Sequence, residues 1–76
     1  MKELVTALAR ALVREPDAVA VEEFEERGGT VLELEVSAVD RGRVIGRGGR
    51  TAAALRTIVG AVAARHGGKC DLEILD

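Results

Sequence analysis

Three glycines and two arginines stand together in the middle of the chain, in a pattern that suits the binding of a phosphate group. Residues 46–50 read Gly-Arg-Gly-Gly-Arg, and Thr51 then opens an alanine-rich segment. Glycine reaches backbone conformations that other residues avoid, and it lets a ligand approach the backbone closely. The N-terminus of a helix adds unpaired N–H groups and the positive end of the helix dipole. The pattern therefore predicts an anion-binding loop, with Arg47 and Arg50 beside it.

The charged residues are divided unevenly along the chain. The formal net charge is −2, yet residues 41–70 carry seven basic side chains and no acidic one. The rest of the chain carries all thirteen acidic residues and four basic ones. Such a division within a small domain predicts a basic face for a polyanion, with uneven charge by chance as the alternative. The seven basic residues are Arg41, Arg43, Arg47, Arg50, Arg56, Arg65 and Lys69.

Length and composition limit the possible classes of protein. A chain of 76 residues predicts one domain with a small core, which must be aliphatic because Phe24 is the only aromatic residue. The single cysteine, Cys70, excludes an internal disulfide and favours a reducing cytoplasm. No apolar run is long enough to cross a membrane, and the N-terminus does not resemble a signal peptide. We predict no cofactor, no metal and no enzyme, because His66 is the only histidine and no nucleophile lies near it in the sequence.

The N-terminal half is predicted to form a helix and a β-hairpin. Leu4, Leu8 and Leu12, with Val5 and Ala11, form an apolar stripe that predicts a helix over residues 3–14, ended by Pro16. Alternating residues predict antiparallel strands over 18–26 and 30–37, joined by a turn at 27–30. Phe24 is out of phase with Val19 and Val21, which predicts a bulge or an early twist in the first strand.

The C-terminal half is predicted to form two helices and a last strand. Ser37 and Asp40 match a capping box, which predicts a short helix to about Ile45. A second helix is expected over 51–66, ended by Gly67, and a strand over 69–75. The predicted buried stripe of the second helix consists of Ala52, Leu55, Ile58, Val59 and Val62.

This order of elements, with Val-Ile-Gly-Arg-Gly-Gly at 44–49 between its central helices, resembles a K-homology (KH) domain of the bacterial type II topology. Ile45, Gly46 and Gly49 fit the KH signature, and Ala52 and Leu55 take its later apolar positions. The wider stretch 40–52 resembles the small stand-alone bacterial KH proteins (KH-domain protein A family). The resemblance covers nearly the whole chain. It implies that residues 1–76 form one α+β domain of order α-β-β-α-α-β, with a three-stranded mixed sheet packed against three helices.

The resemblance also implies a function. KH loops clamp the backbone of about four nucleotides, so the chain is expected to bind single-stranded RNA, as a post-transcriptional regulator or an RNA chaperone-like module. Val44 and Ile45 would form part of an apolar floor for bases, to which Leu34 and Val36 would add unless they are pure core. Lys69 would lie on the opposite wall. The predicted RNA-binding residues are Arg41, Arg43, Val44, Ile45, Gly46, Arg47, Gly48, Gly49, Arg50, Thr51 and Lys69.

Partners follow from the resemblance and from one helix face. The stand-alone KH family suggests a homodimer, or a complex with a larger KH protein of the Jag type. In the second helix, a face of small residues lies away from the predicted buried stripe, and close helix packing or simple helix propensity would each explain it. The residues of this small-residue face are Ala53, Thr57, Gly60, Ala61 and Ala64.

Most other interpretations of the sequence are disfavoured by particular residues, and one stays open. A P-loop needs glycine at position 44 and lysine at position 50, where Val44 and Arg50 stand. A helix-turn-helix would need polar base-reading side chains where the second helix has three alanines at 52–54. The absence of Trp and Tyr argues against a stacking platform for bases. A protein-interaction module with a basic face, or a single-stranded DNA binder, stays open as an alternative.

Overall fold

Helices and strands follow one another in the predicted order, helix, strand, strand, helix, helix, strand. The computed structural model describes all 76 residues, and it confirms the α+β fold class. No helix is long and apolar enough to span a bilayer. The elements are α1 (Lys2–Leu12), β1 (Ala20–Glu26), β2 (Gly29–Glu35), α2 (Arg41–Ile45), α3 (Arg50–Arg65) and β3 (Cys70–Ile74), with single 3-10 turns at Pro16–Ala18, Ala38–Asp40 and Arg47–Gly49.

The three strands form one mixed sheet in the order β1-β2-β3. β1 and β2 pair antiparallel as predicted, and β3 lies parallel to β2. Of the bulge or early twist predicted in β1, the bulge is wrong, because the pairing is continuous from Ala20 opposite Glu35 to Glu26 opposite Gly29. Phe24 is out of phase because it lies on the other face of the sheet, where it is 41% exposed opposite Val31.

The core lies between one face of the sheet and the three helices. α1 contributes Val5 and Ala9, and it ends at Leu12, two residues earlier than predicted. Leu12 itself is 38% exposed, so the predicted leucine stripe is only partly buried. The core cluster consists of Val5, Ala9, Val19, Val21, Leu32, Leu34, Val36, Val44, Leu55, Val59 and Leu72.

The other face of the sheet, here called the outer sheet face, is acidic. Strand residues alternate between faces, and Leu32 pairs with Leu72 on the core side. Glu22, Glu33 and Glu73 therefore form one row across the three strands on the outer side. Like charges directly opposite one another destabilise a sheet, so this row costs stability. The acidic residues of the outer sheet face are Glu22, Glu26, Glu33, Glu35, Asp71 and Glu73.

The long helix α3 packs with a narrower stripe than the sequence predicts. Its buried residues are Ala52, Leu55, Val59 and Ala63. Ile58 was expected in this stripe, but it is 40% exposed, because it lies about 100° around the helix from the buried Val59. The predicted cap at Gly67 is confirmed, since its φ is +77° and its N–H donates to the carbonyl of Ala64 at 3.0 Å.

Candidate nucleic-acid interface

The loop between α2 and α3 has a backbone that depends on glycine. Gly46, Gly48 and Gly49 have φ values of +78°, +62° and +79°, in the region that other residues rarely adopt. Gly46 also lies against the first turn of α3, where an added Cβ would come within 2.7 Å of the backbone nitrogen of Thr51. A side chain at position 46 would therefore push the loop away from the helix that it introduces.

Hydrogen bonds inside the molecule occupy some of the loop N–H groups and leave others free. The N–H of Gly46 donates to Gly42 at 2.8 Å, that of Gly49 donates to Gly46 at 3.0 Å, and that of Arg50 donates to Arg47. These bonds build the tight turn. They leave the N–H groups of Arg47 and Gly48, at the tip of the loop, as the donors available to an anion.

The basic side chains around the loop differ in their burial and in whether they form ion pairs within the domain. Arg47 and Arg50 are exposed and take part in no ion pair. Arg43 is half exposed, and its Nε lies 3.5 Å from Oδ1 of Asp40. Arg41 is half-buried, and its Nε is buried without a hydrogen-bond partner. The two arginines with free guanidinium groups are therefore those that directly flank the glycines.

Asp40 is an organising residue of the fold and not the helix cap that the sequence predicts. It was expected to complete a capping box with Ser37, but no side-chain cap bond forms. Its carboxylate is fully buried and accepts the N–H groups of Arg14 at 2.9 Å and Glu15 at 3.0 Å. Asp40 thus ties the segment after α1 to the start of α2, which leads into the loop. The sequence does mark Asp40 as unusual, because it is the only acidic residue between Glu35 and Asp71.

The structure separates some of the predicted RNA-binding residues from the loop. Val44 is fully buried in the core because the single turn of α2 directs it toward the sheet, so it offers no surface to a base. Leu34 and Val36 are also core residues. Ile45, next to Gly46, is 40% exposed, so its side chain remains available for an apolar contact with a ligand.

Lys69 lies at the far end of the molecule from the loop. It precedes β3, next to Thr30, whose N–H donates to the Lys69 carbonyl at 3.0 Å. The loop is at the other end of α3, and 16 helical residues at ~1.5 Å each place about 24 Å between the two ends. The fold therefore does not bring Lys69 close to the predicted residues at the loop. Thr51, by contrast, lies at the loop, in contact with Gly46.

The surroundings of Cys70, the only cysteine, favour a role in packing over a role in chemistry. Cys70 is half-buried at the start of β3 and packs against the core. Burial raises the pKa of its thiol above the usual value, and the carboxylates of Glu23 and Asp71 raise it further. A thiol with a raised pKa is mostly protonated at neutral pH, so it is a poor nucleophile.

Comparison with known proteins identifies one family over nearly the whole chain. The family model described as "KhpA/KhpB, KH domain" matches residues 2–74. A protein from Streptomyces coelicolor named RNA-binding protein KhpA is 46% identical over 76 residues, which cover 100% of this chain and 95% of that protein. Proteins of the same name from Halalkalibacterium halodurans and Borreliella burgdorferi are each 45% identical, over 100% and 97% of this chain and 100% and 90% of their own lengths.

Proposed function

Because the chain belongs to the KhpA/KhpB family of KH domains, we propose that it binds single-stranded RNA through the loop at Gly46–Gly49. The relatives carry RNA-binding in their names, which favours RNA over single-stranded DNA. The observation that carries the proposal is the loop itself: two free N–H groups at its tip lie between two arginines without ion pairs. On this basis the domain acts as a cytoplasmic post-transcriptional regulator or an RNA chaperone-like module.

In the proposed complex, the sugar-phosphate backbone lies over the loop. The N–H groups of Arg47 and Gly48 donate to phosphate oxygens, and the guanidinium groups of Arg47 and Arg50 add charge-assisted hydrogen bonds. Ile45 provides an apolar contact for a base. A phosphate can approach closely because Gly48 has no side chain and a Cβ there would meet nothing within 4 Å. A clamp of this size holds about four nucleotides, so one domain alone binds weakly.

We expect a salt dependence that measures the phosphates held by this face. If three or four phosphates are neutralised, log affinity falls against log salt with a slope of roughly −2 to −3. Arg50→Gln should reduce the slope by about 0.7, because each neutralised phosphate of a single strand contributes that amount. The control is Arg27→Gln, which removes the same charge at the exposed hairpin turn, remote from the loop. Fluorescence anisotropy with a short unstructured RNA measures both.

A slope near zero, or equal effects of the two arginine variants, would contradict binding at the loop. The rival reading is a protein-interaction module that uses the basic face for an acidic partner. Polyglutamate of matched charge, added as a competitor, separates the two. If polyglutamate displaces the RNA at equal charge concentration, the rival reading is favoured.

The proposal includes a partner, because weak binding by one clamp improves when two units are linked. In α3 the residues Ala53, Thr57, Ala61 and Ala64 are exposed, and Ile58 beside them is 40% exposed. This face combines small residues with one apolar side chain that is exposed over 40% of its surface. We propose that it forms a weak homodimer, which exchanges into a complex with a larger KH protein of the Jag type.

Ala61→Glu should abolish this self-association. The added carboxylate would be desolvated in the dimer, while in the monomer it lies one turn before Arg65 and is tolerated. Ala7→Glu, on the exposed side of α1, is the matched control. Analytical ultracentrifugation up to millimolar concentration measures the dimer. A wild type that stays monomeric, or an Ala61→Glu variant that dimerises equally well, would exclude this face.

A further inference from the structure

The edge of the sheet that β1 forms has no neighbouring strand. β1 is the first strand in the order β1-β2-β3, so only one of its two sides is paired. Residues 22–26 of this strand have the sequence Glu-Glu-Phe-Glu-Glu, and all five are exposed. An unpaired edge presents backbone N–H and C=O groups to which a segment of another chain can add as a further strand. The free edge of β1 is therefore a surface that a second polypeptide can extend.

The hydrogen bonds between β2 and its other neighbour establish which backbone groups of β1 face outward. The N–H of Thr30 donates to the carbonyl of Lys69 at 3.0 Å, and the N–H of Leu75 donates to the carbonyl of Leu34 at 2.9 Å. Backbone groups alternate in direction along a strand, so the even-numbered residues of β2 bond toward β3 and the odd-numbered ones toward β1. The odd-numbered residues of β2 pair with the even-numbered residues of β1. The residues of β1 whose N–H and C=O groups face the free edge are therefore Val21, Glu23 and Glu25.

The side chains at this edge place an aromatic ring between carboxylates. Glu22, Phe24 and Glu26 lie on the outer sheet face, and Glu23 and Glu25 lie on the opposite face. Side chains of an added strand would lie about 5 Å from these residues, which is close enough for ion pairs and apolar contacts. The order of residue types is the same in both directions along the edge. An added strand therefore meets two carboxylates, a ring and two carboxylates, whichever way it runs.

Charged residues on an edge strand also prevent copies of one protein from pairing through their sheets. Here they disfavour a second copy, because β1 against β1 would place glutamate against glutamate, and the other free edge carries Asp71 and Glu73. Protection of the edge does not account for Phe24, which is the only aromatic residue and is 41% exposed at the centre of the acidic run. A partner strand with an apolar residue at its own centre would cover this ring.

We propose that the free edge of β1 binds an extended segment of another polypeptide, in which two basic residues stand on each side of an apolar one. The segment extends the sheet as a fourth strand and exchanges backbone hydrogen bonds with Glu23 and Glu25. Its apolar residue packs against Phe24. Its basic side chains pair with the four glutamates; these exposed pairs add little affinity each, so their main effect is to select a basic partner. Binding at this edge does not require RNA at the loop.

The test uses a synthetic peptide, Gly-Lys-Arg-Val-Arg-Lys-Gly with blocked ends, titrated into the isotope-labelled domain and followed by NMR. The amide signals of Glu23 and Glu25 should shift most, and their hydrogen exchange should slow, because their N–H groups become bonded. Two control peptides keep every charge but carry N-methyl groups, either on the arginines or on the valine and lysines. One of the two should bind about tenfold more weakly, because it lacks the N–H groups that the added strand donates, and its identity gives the direction of the strand.

Protein variants separate strand addition from attraction between charges. Glu23→Pro removes a carboxylate and an outward N–H group but no hydrogen bond to β2, so the sheet should be retained. Glu23→Gln removes the same charge and keeps the N–H group. The proline variant should bind the peptide about tenfold more weakly than the glutamine variant, and circular dichroism confirms that each is folded. Phe24→Ala should remove the preference of the domain for this peptide over one with serine in place of valine.

Three results would overturn the inference. The first is a wild type that does not bind the peptide at millimolar concentration, and the second is a set of shifts that are largest outside β1. The third is equal binding of the parent peptide and both N-methylated forms, which would mean that charge alone attracts the peptide. The peptide measurements do not depend on how the proline variant folds. A domain that binds the peptide but no RNA would leave this inference standing and remove the proposed function.

Discussion

Arg47→Asp combined with Gly48→Asp should reduce RNA binding to background. The double variant places two negative charges at the loop tip, where Arg47 and Gly48 offer their N–H groups. Phosphate would then meet repulsion in place of charge-assisted bonds, a reversal larger than the loss of either contact. Neither position is buried, so the core and its cooperative unfolding should be retained. Fluorescence anisotropy measures the binding and circular dichroism measures the melting curve.

The matched control is Arg47→Asn combined with Gly48→Asn. Asparagine has nearly the shape of aspartate, and both tolerate the left-handed backbone of Gly48 better than other residues with side chains. The two variants therefore share any backbone strain and differ only in charge. The asparagine variant should keep part of the affinity. A folded aspartate variant that binds RNA as the wild type does would remove the clamp from the account.

Asp40→Ala should destabilise the domain by about 2–4 kcal/mol. The truncation leaves the N–H groups of Arg14 and Glu15 without their acceptor, and each unsatisfied group costs about 1–3 kcal/mol. A domain of this size has a total stability of roughly 4–11 kcal/mol, so the loss is a large fraction of it. Urea denaturation followed by circular dichroism measures the free energy of unfolding.

The variant Arg43→Ala shows whether the destabilisation by Asp40→Ala comes from the ion pair or from the backbone hydrogen bonds. It removes the ion pair with Asp40 but keeps both backbone bonds, and because Arg43 is half exposed the pair is worth only about 0–1 kcal/mol. Asp40→Asn should lie between the two variants, because its amide can accept from one N–H group but not from both. If Asp40→Ala and Arg43→Ala cost the same, the ion pair rather than the backbone bonds would be responsible.

The features that the sequence predicts well are those with strong local signals. Gly-Arg-Gly-Gly-Arg predicts the loop because positive φ is a local property of glycine. The alternation of Leu32 and Leu34 with glutamates predicts β2 and its buried face, and Gly67 predicts the end of α3. Each signal lies within a few residues, so no knowledge of distant contacts is needed.

The errors arise where a distant part of the chain decides the outcome. Asp40 looks like a helix cap, but backbone groups 25 and 26 residues away occupy it. Val44 and Ile45 are adjacent apolar residues, and only the packing of α2 shows that the first is core and the second is surface. Ile58 fits the predicted helical stripe, yet the stripe that α3 buries is narrower and leaves it 40% exposed. Lys69 belongs to the basic block in sequence, while the length of α3 separates it from the loop.

If RNA binds at the loop as proposed, the acidic outer sheet face affects its approach before any contact forms. The shortest dimension of the molecule is 19 Å, whereas the Debye length at physiological ionic strength is about 8 Å. An approaching strand therefore experiences the charges of the nearer face and little of the farther one. The sheet side repels it and the loop side attracts it, so encounters are selected by orientation. In about 0.01 M salt the Debye length is near 30 Å and exceeds the thickness. The two faces then act together, and the negative net charge slows association at long range.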